Sequence, residues 1–203
     1  MLRYCALLFV SAALLAQTAP MPPQNNPNTP VYTADGRLVF PTNYREWIYL
    51  TTGMDMDYNP DPSMAGHSMF DNVFVNPESY KVFVATGTWP DKTMLVLEGR
   101  MAANKGSINK AGHYQTNDVM ARSVHVKDAR LPGGWAFFGY DESGPTKPIP
   151  TKAECYSCHQ QHAAVDTTFV QFYPTLLEIA KQKGTLSKNY LKEEAAAGSS
   201  PQK

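Results

Sequence analysis

Two residues separate Cys155 from Cys158, and His159 follows at once, in the run Glu154-Cys155-Tyr156-Ser157-Cys158-His159. Cys-x-x-Cys-His is the attachment signature of haem c. The spacing has a chemical reason: two thiols three positions apart can add to the two vinyl groups of one porphyrin, and the adjacent imidazole then reaches the iron from the same side. The residues therefore predict one covalently attached haem c, held by Cys155 and Cys158, with His159 as the iron ligand. Two other chemistries compete for the same pair. A zinc site needs two further ligands, which only His162 or the distant His67, His113 or His125 could supply, because there is no second cysteine pair. A thioredoxin-like redox pair belongs after a buried strand in a βαβ unit, a context this neighbourhood lacks.

The chain has three cysteines, and Cys5 lies in an N-terminal stretch unlike the rest. Met1-Leu2-Arg3, an apolar run from Tyr4 to Ala16 and then Gln17-Thr18-Ala19-Pro20 give the order of charge, apolar segment and small residues found in a secretory signal. The run is shorter than the roughly 20 apolar residues that span a bilayer. Residues 1–19 thus predict a cleaved signal peptide, a periplasmic location and no stable membrane anchor. The mature chain would keep only Cys155 and Cys158, and a disulfide across so short a loop would add little stability. Lysine plus arginine equals aspartate plus glutamate at 18 each, so no basic field points to nucleic acid.

The elements that must position the motif can be read in outline. Residues 20–30, rich in Pro, Gln and Asn, predict a flexible linker, and residues 193–203, rich in Ala, Gly and Ser, predict a flexible tail. Between them, residues 31–192 predict a single domain. A short helix is expected to start from Thr42 or Asn43, and a loop to run from Asp55 to Ser63. Strands are expected over Met69 to Val75, Thr93 to Glu98, Ala121 to Lys127 and Trp135 to Tyr140, and a helix from Pro77 to about Ala85 with its stop near Gly87. Apolar spacing from Ala163 to Ala180 predicts a helix capped by Asp166 or Thr167, with Pro174 kinking it or starting another. The fold class is α+β: a mainly antiparallel β-sheet with flanking helices.

With the motif late in a sheet-rich chain, the pattern resembles the cytochrome P-460 family, which includes the cytochromes c′-beta. The matching runs are Pro41 to Trp47, Val73 to Tyr80, Val126 to Arg130, Gly134 to Phe137, Cys155 to His159 and Asp166 to Pro174. The resemblance implies a cytochrome P-460-like fold, often a homodimer, with a five-coordinate haem whose open face binds small nitrogenous ligands. It also implies a redox partner protein. Hydroxylamine-oxidising members carry a lysine bonded to the porphyrin on the strand after the Trp89-Pro90-Asp91 turn. Here that strand reads Met94-Leu95-Val96-Leu97-Glu98, with Leu97 at the cross-link position and Lys92 left on the turn. The resemblance then favours binding, and detoxification or reduction, of nitric oxide or related nitrogen oxides over hydroxylamine oxidation.

For the distal side, alternation along Met69 to Val75 puts Phe70, Asn72 and Phe74 on one face. If that face looks at the iron, Phe70 and Phe74 cap it, with Leu97 beside them. Met69 or another methionine could instead complete the iron's coordination, as in electron-transfer cytochromes. His67, His113, His125 and His162 are further candidate ligands or proton carriers, His162 more plausibly a surface or propionate contact. Arg45, Arg100 and Arg122 are candidate partners for haem propionates.

Overall fold

A computed structural model describes residues 26–56, 68–141 and 144–198. The expected signal segment, most of the linker, His67 and much of the Asp55–Ser63 loop lie outside the described residues.

Five strands follow the turn signals: β1 (Ile48–Met54), β2 (Met69–Val75), β3 (Met94–Ala103), β4 (Tyr114–Lys127) and β5 (Trp135–Tyr140). They pair in sequence order, every neighbour antiparallel, as a single sheet. Helix α1 (Pro77–Thr86) enters on Pro77, whose missing N–H would have had no partner in the first turn, and stops at Gly87 in the left-handed conformation, φ 77°.

Alternation assigns each face of the sheet its own core. Leu50, Val75, Leu95 and Trp135 face the helices and pack with Phe83, Trp89, Val170 and Leu176. Met94, Val96, Val124, Val126 and Phe138 face the opposite way and are covered by Leu38, Tyr44 and Trp47 from the N-terminal segment. Both faces are thus covered, although the covering on the second is mostly irregular chain.

Several boundaries differ from the sequence reading. Strand β1 was not foreseen, because its apolar alternation breaks at a bulge between Tyr49 and Thr51, where Leu50 turns into the helix-side core. Strands β3 and β4 run on past the expected limits into a protruding hairpin of polar, exposed sequence. The short helix after Asn43 is a single 3-10 turn, Tyr44–Glu46. The expected continuous helix from Ala163 is broken: Asp166 takes a left-handed φ of 53°, Val165 and Thr168 form an isolated bridge, and a 3-10 turn covers Val170–Phe172. The motif itself forms helix α2 (Glu154–His162), and regular helix resumes at Pro174 as α3 (Pro174–Lys183).

At the ends, order extends into both segments expected to be flexible. Asn28 accepts hydrogen bonds from Trp47 Nε1 at 2.8 Å and Asn43 Nδ2 at 2.9 Å, tying the end of the linker to the body. Helix α4 (Lys188–Gly198) carries the alanine-rich residues of the expected tail, consistent with alanine's helix propensity, and buries Tyr190.

Candidate functional site

Helix α2 stands the motif against the helix-side face of the sheet. Cys155 and Cys158, i and i+3, lie on neighbouring positions of one helix face, half-buried, and both are free thiols. His159 follows, at the edge of a cavity of about 180 Å³. The cavity floor comes from alternate residues of the sheet, among them Val73 on β2, Leu95 and Leu97 on β3, and Ser123 and His125 on β4, with Phe169, Phe172 and Tyr173 from the broken segment as its wall. The break at Asp166 therefore has a use: a straight helix from Ala163 could not have turned Phe169 back onto His159.

The His159 ring is held from three directions. Phe169 stacks on it with centroids 4.2 Å apart, Phe137 lies at 4.6 Å, and Nδ1 donates to the Thr167 carbonyl at 2.8 Å. A carbonyl can only accept, so Nδ1 carries the proton and the lone pair of the neutral ring is on Nε2. Burial pushes the His159 pKa below that of a free imidazole, which keeps the ring neutral. An imidazole oriented by a backbone carbonyl and free at Nε2 is the usual arrangement of a metal-bound histidine.

The second histidine of the cavity supports the first. His125 stacks on Phe137 at 4.0 Å and meets His159 edge-on at 5.3 Å, while its Nε2 shares a hydrogen bond with the Thr167 hydroxyl at 3.1 Å. Its pKa lies well below the usual imidazole value, first through burial and then through His159. Thr167 thus joins both histidines, one through its carbonyl and one through its side chain. Sequence reading placed Thr167 only as a helix cap, and no local pattern marks the link, since it crosses from α2's flank to β4.

The alternatives for the cysteine pair find little here. Among the described residues no cluster of three or more His, Cys, Asp or Glu side chains could hold a metal ion. The Cys158 thiol is pushed up by burial and by Glu154, opposite to the depressed pKa of a reactive redox cysteine. The described residues do fit a haem: two free thiols on one helix face, an imidazole free at Nε2, and a cavity walled by aromatic and aliphatic side chains.

The family comparison decides the identity. The cytochrome P460 family model matches residues 41–170. The chain belongs to the cytochrome P460 family. No curated protein matches it. Membership implies a haem cofactor, and the matched region contains Cys155, Cys158 and His159 as well as the whole sheet of this cytochrome.

The remaining candidates divide by face. Leu97 lines the cavity. Phe70 and Phe74 do not: β2 pairs so that Asp71 and Val73 face the cavity, while Phe74 packs edge-on against Tyr44 at 5.5 Å and Tyr49 at 5.8 Å on the other side. A period of two fixes which residues share a face but not which face looks inward, and Phe74 packs against the second core. The expected phenylalanine cap is thus replaced, among the described residues, by Asp71, Val73, Thr51 and Met56. Met56 is a methionine that no motif marks; Met69, the neighbour of Gly99, does not line the cavity.

The arginines are also on the far face. Arg45 and Arg100 pair with the buried carboxylate of Glu98, which Tyr44 also bonds, and Arg122 lies over the Phe40 ring at 5.6 Å. None of the three lines the cavity, so they are not propionate partners there. Lys92 bonds Asp128 at 2.6 Å on the turn and is likewise outside the cavity. His162 is at the surface, paired with Glu193 at 2.6 Å, and His113 is exposed.

Proposed function

We propose that the chain is an exported mono-haem c-type cytochrome whose iron binds nitric oxide or a related small nitrogen oxide at an open coordination position. Cys155 and Cys158 hold the porphyrin through thioether bonds and His159 ligates the iron through Nε2. The observation that carries this reading is the His159 Nδ1 bond to the Thr167 carbonyl, which leaves the Nε2 lone pair free to ligate in the same cavity that Leu97 lines.

The haem supplies the Lewis-acidic, redox-active iron; the protein supplies orientation and exclusion. Phe169 and Phe137 hold the His159 plane, and Leu95, Leu97 and Val73 present aliphatic surface that disfavours bulky or strongly hydrated ligands. No lysine lines the cavity among the described residues, which supports ligand binding over cross-link-dependent hydroxylamine oxidation. Whether bound nitrogen oxide is also turned over depends on a redox partner protein, and the homodimer expected from the family supplies the natural unit. The periplasm is the compartment in which such attachment takes place.

A second reading rests on Met56, whose side chain lines the same cavity and could complete the iron's coordination, giving a plain electron carrier. Attachment is tested by expressing the chain with Cys155→Ala and Cys158→Ala together. The native protein should retain haem stain after denaturing electrophoresis and the double variant should lose it. Stain surviving in the variant would refute attachment at these residues.

A further inference from the structure

The cavity contains a carboxylate that neither the haem attachment nor the histidine pair uses. Asp71 sits in the middle of β2, paired with Gly53 on β1 and with Gly99 on β3. Its carboxylate leans into the space that Gly99 leaves open: a Cβ there would stand 3.4 Å from Asp71 Oδ1 and 2.8 Å from Met69 Sδ. On the other side, a Cβ at Gly53 would meet Met56 Sδ at 2.5 Å. Two side-chain-free neighbours therefore leave the carboxylate facing the cavity, with a thioether packed over each glycine.

Nothing on the described residues neutralises it. Asp71 makes no hydrogen bond or ion pair among them, and no lysine or arginine lines the cavity. Among the described residues the one charged group that acts on it is Asp55, at the end of β1, whose own carboxylate accepts from the Met69 N–H at 2.9 Å and from Ser68 at 3.1 Å and adds charge of the same sign. The histidines packed against the cavity from β4 and α2 are held neutral by burial, and the segment at 169–173 contributes only aromatic rings, of which Tyr173 bears a phenol.

From this placement we infer that Asp71 is a specificity-determining residue: ionised, it bars anionic ligands such as azide or nitrite from the cavity while leaving uncharged diatomic ligands unaffected. The inference rests on the haem reading above. An unpaired charge in a cavity of low polarity acts over several ångströms, because the surrounding protein screens it far less than water does. An entering anion would meet that field with no compensating cation, whereas nitric oxide or carbon monoxide carries no charge for it to act on. Burial and Asp55 both raise the Asp71 pKa, so the barrier weakens as pH falls.

The test uses the intact haem-loaded protein and its Asp71→Asn variant. Azide is titrated optically against the ferric form from pH 5 to pH 8, and carbon monoxide against the ferrous form. At pH 8 the variant should bind azide about tenfold more tightly than the native protein, with carbon monoxide affinity unchanged, and the azide difference should shrink toward pH 5. Equal azide affinities at pH 8, or a matching change for carbon monoxide, would overturn the assignment. A separate readout is urea unfolding of the same two proteins. A carboxyl whose pKa is raised on folding costs stability only once it ionises, so the variant should be the more stable at pH 7 and equal to the native protein below about pH 4. Equal stability at both would also overturn it. If both proteins give low-spin spectra and bind neither ligand, the failure lies with the open iron position and takes the gating role with it. The unfolding difference would then persist.

Discussion

Replacing Glu98 by Gln removes one negative charge at nearly constant volume and tests where the arginines do their work. The Glu98 side chain is 1% exposed and accepts from Arg100 Nε at 2.6 Å, from Arg45 and from the Tyr44 hydroxyl. Breaking a buried ion pair from one side costs about 3–5 kcal/mol, because the surviving charge is left uncompensated. Two features lower that figure here. Arg45 is 51% exposed and is screened by water, and Arg100, 15% exposed, keeps its bond to the Thr116 carbonyl at 2.9 Å. The expected loss is therefore about 2–3 kcal/mol, or roughly 4–12 °C in Tm for a chain of this size. Thermal unfolding followed by circular dichroism measures it, with the visible haem spectrum recorded beside it. Because Glu98 and its arginines pack on the sheet face opposite the cavity, the spectrum should not move. A loss under about 0.5 kcal/mol, or a displaced Soret band, would refute this division of labour.

Other outcomes follow from single contacts. Asp128→Asn should destabilise the protein at pH 7: bonds from Arg130, reinforced by Lys92, hold the folded carboxyl far below its usual pKa. That stability is full above the unfolded value of about 3.9 and is lost only as pH falls through the much lower folded pKa, so the gap between native and variant urea midpoints should narrow below about pH 4 and still be open at about pH 3. His125→Phe should keep covalent haem while losing the bond to the Thr167 hydroxyl, at a cost of about 1 kcal/mol in urea unfolding; loss of haem attachment would show His125 to be part of the attachment machinery. Phe83→Ala, at 0% exposure in the helix-side core against Trp89, should cost about 3–5 kcal/mol in the same assay.

What could be read from the sequence depended on how local the signal was. Cys155, Cys158 and His159 announce themselves by spacing alone, and the bounds of β2, β5 and α1 follow from Pro77, Gly87 and the Pro132-Gly133-Gly134 turn, all within a few residues. Strand β1 escaped because one bulged residue, Leu50, breaks the alternation that marks a strand. The pocket face of β2 escaped for another reason: Phe70 and Phe74 make theirs the more aromatic face, but two cores compete for apolar side chains, and Phe74 packs against the one without the motif. Asp71 shares the cavity side of β2 with Val73, and the bonds from Tyr44 and Arg45 to Glu98 left no local sign because they join residues more than fifty positions apart. The family match covers the sheet and the motif but ends at Val170, before the segment at Phe172 and Tyr173 that completes the cavity wall.

At the centre of the proposed function is a haem c with His159 on one side of the iron and an open position on the other. The optical spectrum of the purified, dithionite-reduced protein tests it most directly. A broad high-spin ferrous spectrum that sharpens on adding nitric oxide or carbon monoxide is the predicted result. Sharp low-spin bands in the reduced protein before any ligand is added, lost on replacing Met56 by Ala, would contradict it and identify an electron carrier instead.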